Sequence, residues 1–541
     1  MTLLLKYISA LAFLYFVLVL PDWPGNLVSY SFMRLPIELP ILMLVLASAP
    51  SRSLTWLHPI IVLVMTVVVV LKIANLITFE FYARPFNILV DPGLISTAIN
   101  TIIAGRGMGI AFGVIVAAIT IIILVAVLLW FAVGALRPVR SLLSLRNTGI
   151  VAGIALLAAI PLADFKINQS WWNVTSLDTS LFARERALSV VEGLKYDAAF
   201  RAKLSSDSYA DIPVKNLLAK LRGTDVLLVF VEAYGRAALD SPIIAESIRP
   251  VLKNFESALL KHNFYAESAW ITSPTFGGQS WLSHSTFVTG LWVDNQRRYE
   301  SLFISDRKTL IHDFSRGGWR TVGVMPQIAF EWPEGKYFGY EKVYSASDLG
   351  YAGPRFDYVT MPDQYTLSTF HQRELASRER APVMAEIALV SSHLPWTPLP
   401  KIVAWEEVKN GEIFFKAKHS LGSTNLANSN HMRTNYVQAI SYELEVLKSF
   451  ITKVLRENTL MIILGDHQPV PVVSGTPLSY DVPVHIISSD PKLLEAIKDW
   501  GWTTGMIPTE ESPTWRMDVM RKRILESFTS GSNQATVSID P

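Results

Sequence analysis

The segment "GIAFGVIVAAITIIILVAVLLWFAVGAL", Gly109–Leu136, runs for 28 residues without a charged side chain. The hydrocarbon core of a bilayer is ~30 Å thick and takes about 20 apolar residues in a helix, so a run of this kind belongs in a membrane. Four other apolar stretches, Leu3–Leu20, Phe32–Ala49, His58–Thr78 and Gly149–Ala163, bring the expected spans to five, all before residue 165. The second and fifth are short, and the second carries Glu38 and two prolines. The first ends in "LVLPDWPG", which lacks a small-x-small cleavage site and therefore reads as an uncleaved helix rather than a signal peptide.

Orientation follows from Arg and Lys in the short loops. Arg52 lies in one loop, and Arg137, Arg140 and Arg146 lie in another. Both fall on the cytoplasmic side if the N-terminus is cytoplasmic and there are five spans. The loop from Phe79 to Met108, where Glu80 and Asp91 offset Arg84 and Arg106, then lies outside. Everything after Asp164 is exported.

The remainder reads as soluble protein. Residues 166–220 are polar and weakly helical, a linker. Residues 221–528 form the expected extracytoplasmic domain, and 529–541 form a loose polar tail. Net charge is +2, with no concentrated basic face, which excludes a nucleic-acid footprint. The chain has no cysteine, so disulfides and zinc–thiolate clusters are excluded. "DVLLVFVE", "TVGVM", "EIALVSSH", "LMIILGDH" and "VPVHIISS" are short β-branched runs separated by helix-like stretches. Strands alternating with helices imply an α/β fold, a mostly parallel sheet with helices on both faces, whose ligands gather beyond the carboxyl ends of the strands.

Three of these strands end on chemistry. Glu232 closes the first, His393 the third, and Asp466 with His467 the fourth. An acid after a strand is most often a turn former or helix cap. Three such ends together suggest oxygen and imidazole ligands for zinc, manganese or magnesium. "SPTFGGQSWLSHSTFVTGLWV" offers a nucleophile: Gly277 and Gly278 let the chain turn before Ser280, at the start of a helix-like segment whose N-terminus favours an anion. The bland alternative for Ser280 is a helix cap.

In these motifs the chain resembles the membrane-anchored branch of the alkaline-phosphatase/sulfatase superfamily, which includes lipoteichoic acid synthases, phosphoglycerol transferases and phosphoethanolamine transferases. The resemblance implies about five N-terminal helices and an extracytoplasmic α/β domain. Glu232 in "FVEAYG" matches the family's first metal ligand, and Asp466–His467 in "LGDHQP" its late ligand pair. Ser280 stands nine residues before Thr289–Gly290, which registers it at the nucleophile position, where it would also ligate the metal. His393 in "SSHLPW" inherits a phosphate contact. In "MPQIAFEWPEGKYFGY", Trp332 matches a substrate-binding tryptophan and Gln327 replaces a histidine. "SWLSH" lacks the proline and arginine of the sulfatase motif, which weakens a sulfatase reading, and the residue after the motif histidine is Gln468 rather than glycine. The absence of cysteine favours phosphoglycerol over phosphoethanolamine. The implied activity is metal-dependent transfer of a phospholipid headgroup to an envelope glycan or glycolipid through phospho-serine, at the bacterial plasma membrane. The alternatives are a membrane-anchored phosphodiesterase or sulfuric ester hydrolase, and a transport or binding protein relying on Glu38 and Lys72. His284, four residues after Ser280, and His485, on a late strand, are the other histidines to locate.

Overall fold

The computed structural model describes residues 2–136, 175–329, 332–356, 358–396, 399–417, 428–475 and 478–531. The chain divides into two compact units, Met1–Glu80 with Arg84–Tyr196, and Phe81–Ala83 with Asp197–Pro541.

In the first unit, helices α1 (Thr2–Val19), α2 (Glu38–Ser48), α3 (Ser51–Tyr82), α4 (Leu94–Arg106) and α5 (Met108–Leu136) precede α6 (Asp178–Leu204). Among the described residues two helices are long and apolar enough to cross a membrane, Arg52–Tyr82 and Met108–Leu136, with mean hydropathies of 2.8 and 3.2. The run Phe32–Ala49 does not form one continuous helix. A 3-10 turn at Ser29–Met33 and a short extended stretch at Leu35–Pro36 leave α2 with 11 residues, about 16 Å of rise. That is half a bilayer, and hydropathy alone does not register the break made by Pro36. The loop drawn from Phe79 to Met108 contains α4. The fifth expected span and the loop of Arg137, Arg140 and Arg146 lie outside the described residues. Lys72 Nζ donates to the carbonyls of Leu18 and Leu20 and to Thr179 Oγ1, and Glu38 Oε1 accepts from Ser180 N. Each of the two charges considered for transport therefore has structural partners.

The second unit is built on a nine-stranded sheet. Its strands are β1 (Asp225–Val231), β2 (Tyr265–Thr272), β3 (Arg320–Met325), β4 (Lys342–Ser345), β5 (Val383–Leu389), β6 (Thr459–Gly465), β7 (Asp481–Ser488), β8 (Thr503–Thr504) and β9 (Thr514–Arg516). The order is β8-β2-β7-β6-β1-β5-β3-β4, with β9 beside β2. The block β6-β1-β5-β3-β4 is parallel, whereas β7 runs antiparallel to β6 and β2. β1 is buried along its whole length, and its side chains alternate between two cores, as the period of a strand requires. Leu227, Val229 and Val231 pack with Ile248, Leu252 and Phe255 of α7 (Pro242–Lys261), and with residues of the later helix Ser429–Lys453. Val226, Leu228 and Phe230 pack on the other face with Leu282 and Phe287 of α8 (Ser280–Thr289). The remaining helices used below are α9 (Asp363–Phe370) and α10 (Ser429–Lys453). Parallel pairing sends β1, β5 and β6 out of the sheet at one end, and Glu232, His393 and Asp466–His467 follow those three strands, whereas Ser280 follows β2 and Gln327 and Trp332 follow β3.

Candidate metal centre

Val231 at the end of β1 pairs with Gly465 at the end of β6, so the residues that follow leave the sheet one strand spacing apart, ~4.8 Å. Gly465 makes that exit possible. A Cβ at this position would lie 1.8 Å from the Tyr234 carbonyl oxygen, so the turn after β1 can fold over the end of β6 only where there is no side chain. Asp466 Oδ1 then ties the two loops together, accepting from Ala233 N at 2.8 Å and from His467 N at 2.7 Å. Ala233 takes φ +55°, a left-handed conformation that Asp466 helps to hold. The turn into α8 uses positive φ at Gly277, Gly278 and Gln279, and it delivers Ser280 as the first residue of the helix.

These elements bring four side chains together. Ser280 Oγ donates to Glu232 Oε2 at 2.9 Å and lies 3.2 Å from His467 Nε2. His467 Nε2 lies 3.2 Å from Glu232 Oε1 and 3.7 Å from Asp466 Oδ2. His467 Nδ1 is engaged by the Gln468 carbonyl at 2.7 Å, which turns Nε2 toward the carboxylates. Glu232, Asp466 and His467 are all buried, whereas Ser280 is half-exposed, so the cluster opens on the serine side.

The donor set fits a divalent cation. Two carboxylates and an imidazole offer ligand atoms within 4.8 Å of one another, inside the protein, where like charges repel unless a cation joins them. Ligands ~2.0 Å from a tetrahedral zinc are about 3.3 Å apart, close to the separations found here. Their ionisation reflects the crowding. Burial and the Glu232 charge push Asp466 up to about 7. Burial lowers His467, but Asp466 and Glu232 outweigh it and raise the imidazole to about 9. Burial also raises Glu232, yet His393 and His467 hold it well below the usual carboxylate range.

His393 follows β5. Its ring stacks on Tyr358 at 4.5 Å, Nδ1 contacts the Leu394 carbonyl, and its charge is felt at Glu232. The loop before it is held from behind by acids that sequence reasoning missed. Asp363 of α9 accepts from the amides of Val390 and Ser391, and Glu443 of α10 accepts from the Ser392 amide. Ser392 Oγ bridges Glu443 and the Glu232 carbonyl. The signal available was an acid, Glu443, on the apolar face of a helix.

Gln327 and Trp332 are close in sequence but have different surroundings. Gln327 Nε2 donates to the Tyr358 carbonyl at 3.1 Å, supporting the residue on which His393 stacks. Trp332 packs against Phe338 and Tyr340, meets the Tyr299 hydroxyl, and lines a surface cavity of about 600 Å³. His485 is a core residue held by Ser268 Oγ and the Tyr234 hydroxyl. His284 bonds through Nδ1 to Glu386, an acid in the middle of β5 that sequence reasoning also passed over.

No protein-family model and no curated protein matches the chain. Among solved structures, it is similar to the lipoteichoic acid synthase LtaP from Listeria monocytogenes, at 14% identity and a TM-score of 0.39, over 63% of this chain and 79% of that one. It is similar to the Streptococcus pyogenes phosphoglycerol transferase GacH, at 13% identity and a TM-score of 0.37, over 61% of this chain and 81% of that one. For the C-terminal periplasmic domain of EptC from Escherichia coli in complex with zinc, the values are 13% and 0.37, over 56% of this chain and 80% of that one. These are likenesses at low identity, and the residue roles proposed below stand on the site geometry and the sequence motifs.

Proposed function

We propose that the protein is a membrane-anchored, metal-dependent transferase that moves a phospholipid headgroup, phosphoglycerol or phosphoethanolamine, to an envelope glycan through a phospho-serine at Ser280. One observation carries this reading: the Ser280 hydroxyl, at a helix N-terminus, touches two members of a buried Glu–Asp–His donor set, at 2.9 and 3.2 Å. Glu232, Asp466 and His467, with Ser280 itself, would hold zinc or manganese, with magnesium the third candidate. Such a cation would lower the serine pKa and offset charge on the phosphoryl oxygens.

The chain's own groups do the rest. Glu232 orients Ser280 Oγ, and the first amides of α8 face the phosphate. His393 reaches a non-bridging oxygen. Gln327 supports the Tyr358 shelf beneath His393, and Trp332 offers a ring to the substrate. In the first half-reaction the Ser280 oxygen bonds to phosphorus as the bond to the diacylglycerol oxygen breaks. In the second, a glycan hydroxyl oxygen bonds to phosphorus as the serine ester breaks. Residues 1–165 form the multi-pass anchor, 166–220 the linker and 221–528 the extracytoplasmic catalytic domain, with 529–541 as the tail. Sharing the membrane plane with a lipid donor raises the effective substrate concentration.

The test uses headgroup-labelled phospholipid vesicles, an oligosaccharide acceptor, the full chain and Ser280→Ala. Wild type should move label to the acceptor and carry a headgroup-phosphate adduct on the Ser280 peptide by mass spectrometry. Ser280→Ala should do neither while still binding metal. Label released only as free headgroup would instead establish a hydrolase, and an unimpaired Ser280→Ala would remove the nucleophile.

A further inference from the structure

The transfer reaction needs a proton carrier that the metal centre does not supply. The leaving diacylglycerol oxygen must gain a proton, and the incoming glycan hydroxyl must lose one. In that reading Glu232, Asp466 and His467 Nε2 would hold the cation, and His393 is engaged with a non-bridging oxygen.

His284 is placed for the task. It lies one helical turn after Ser280 on α8, and residues four apart share a helix face. Its Nδ1 bonds Glu386 Oε1 at 2.8 Å, and the other carboxylate oxygen accepts from the Tyr340 hydroxyl at 2.7 Å. Glu386 is 1% exposed in the middle of a sheet strand, a position where an acid is costly unless its oxygens are bonded. Phe230 stacks on the imidazole at 3.8 Å, nearly parallel, and fixes the plane of the ring. With Nδ1 held by a carboxylate, the ring's opposite corner, Nε2, is the nitrogen left to exchange a proton. The side chain keeps 13% exposure.

We propose that the Glu386–His284 pair is the proton-transfer device of this site, working on the oxygens that leave and enter at phosphorus. The proposal rests on the transfer reading above. In the first half-reaction Nε2–H gives its proton to the diacylglycerol oxygen as that oxygen leaves phosphorus and deprotonated Ser280 Oγ attaches. In the second, neutral Nε2 takes the proton of the glycan hydroxyl as its oxygen attaches and Ser280 Oγ departs. The pair ends as it began, and Glu386 holds the ring through both steps.

His284→Asn separates this role from a structural one, because the asparagine amide can occupy the Nδ1 position and keep the bond to Glu386 while Nε2 is lost. Two donors are compared in the full chain: phosphatidylglycerol vesicles, whose alkoxide leaving group needs a proton, and the nitrophenyl ester of glycerol phosphate, whose leaving group does not. His284→Asn should lose lipid turnover by on the order of 100-fold or more. Its nitrophenolate burst, metal content and melting temperature should match wild type. Glu386→Gln should follow the same pattern with a loss of about 10-fold. Equal loss of the burst and of lipid turnover, or a lowered melting temperature with loss of both, would overturn the proposal in favour of a packing role. A fully active His284→Asn beside an active wild type would overturn the proton-transfer role alone. A wild type that neither bursts nor transfers label would overturn the transfer reading and this proposal with it.

Discussion

Asp466→Asn tests the metal centre through stability rather than turnover. Asp466 Oδ1 accepts the Ala233 and His467 amides, and an asparagine carbonyl can keep both bonds. What changes is Oδ2, the oxygen 3.7 Å from His467 Nε2, which becomes an NH₂ donor. The substitution removes one of two buried like charges whose ligand atoms lie within 4.8 Å. Burial and the Glu232 charge disfavour ionised Asp466 by more than its attraction to His467 favours it, a net cost on the order of 3 kcal/mol at pH 8. In chelator at pH 8, Asp466→Asn should therefore melt above wild type, by about 6 °C at ~2 °C per kcal/mol for a unit this large. Zinc or manganese at a hundredfold excess over Kd should raise wild type by about 3 kcal/mol and leave the variant unmoved. Thermal melts with and without each metal, alongside metal analysis, read both effects. A variant less stable than wild type in chelator, or one that responds to metal as wild type does, would refute the placement of a cation between these residues.

Other outcomes follow from the geometry. Gly465→Ala should cost about 1–3 kcal/mol and abolish metal binding, because its methyl group would meet the Tyr234 carbonyl; a measured metal affinity within tenfold of wild type would contradict this. His485 is buried, which lowers it to about 3, so the folded state binds fewer protons than the unfolded state below pH ~6.5. That contribution is intact above pH 6.5 and is lost as pH falls, by about 2 kcal/mol at pH 5, and denaturant melts of His485→Gln should lack this part of the slope. Ile440→Ala on α10, at a site with 0% exposure in one of the two sheet cores, should destabilise by about 2–5 kcal/mol in the same melts.

The strand-end residues were legible because each ends a run of β-branched and apolar side chains. A polar group arriving abruptly after such a run, as Glu232, His393 and Asp466–His467 do, marks where the chain leaves a sheet. Ser280 was legible from its glycines and its spacing to Thr289. The Glu386–His284 bond, the support given by Glu443 and Asp363, and the separate surroundings of Gln327 and Trp332 were not. Each depends on partners tens to hundreds of residues away, and a local pattern carries no record of which strand lies beside which. β2 and β4 were passed over because "YAESAWIT" and "KVYS" mix polar residues into short runs. The break in the second apolar run was missed because hydropathy sums side chains and ignores backbone geometry.

The sequence alone determined that part of this chain is apolar enough for a membrane, and that the rest alternates strands and helices and ends three strands on groups able to bind metal or phosphate. Local side-chain chemistry suffices for those statements. Only the tertiary structure decided that β6, β1 and β5 lie side by side and parallel, so that residues far apart in the chain meet at one edge. That adjacency comes from burying both faces of the sheet at once, a property of the packed whole.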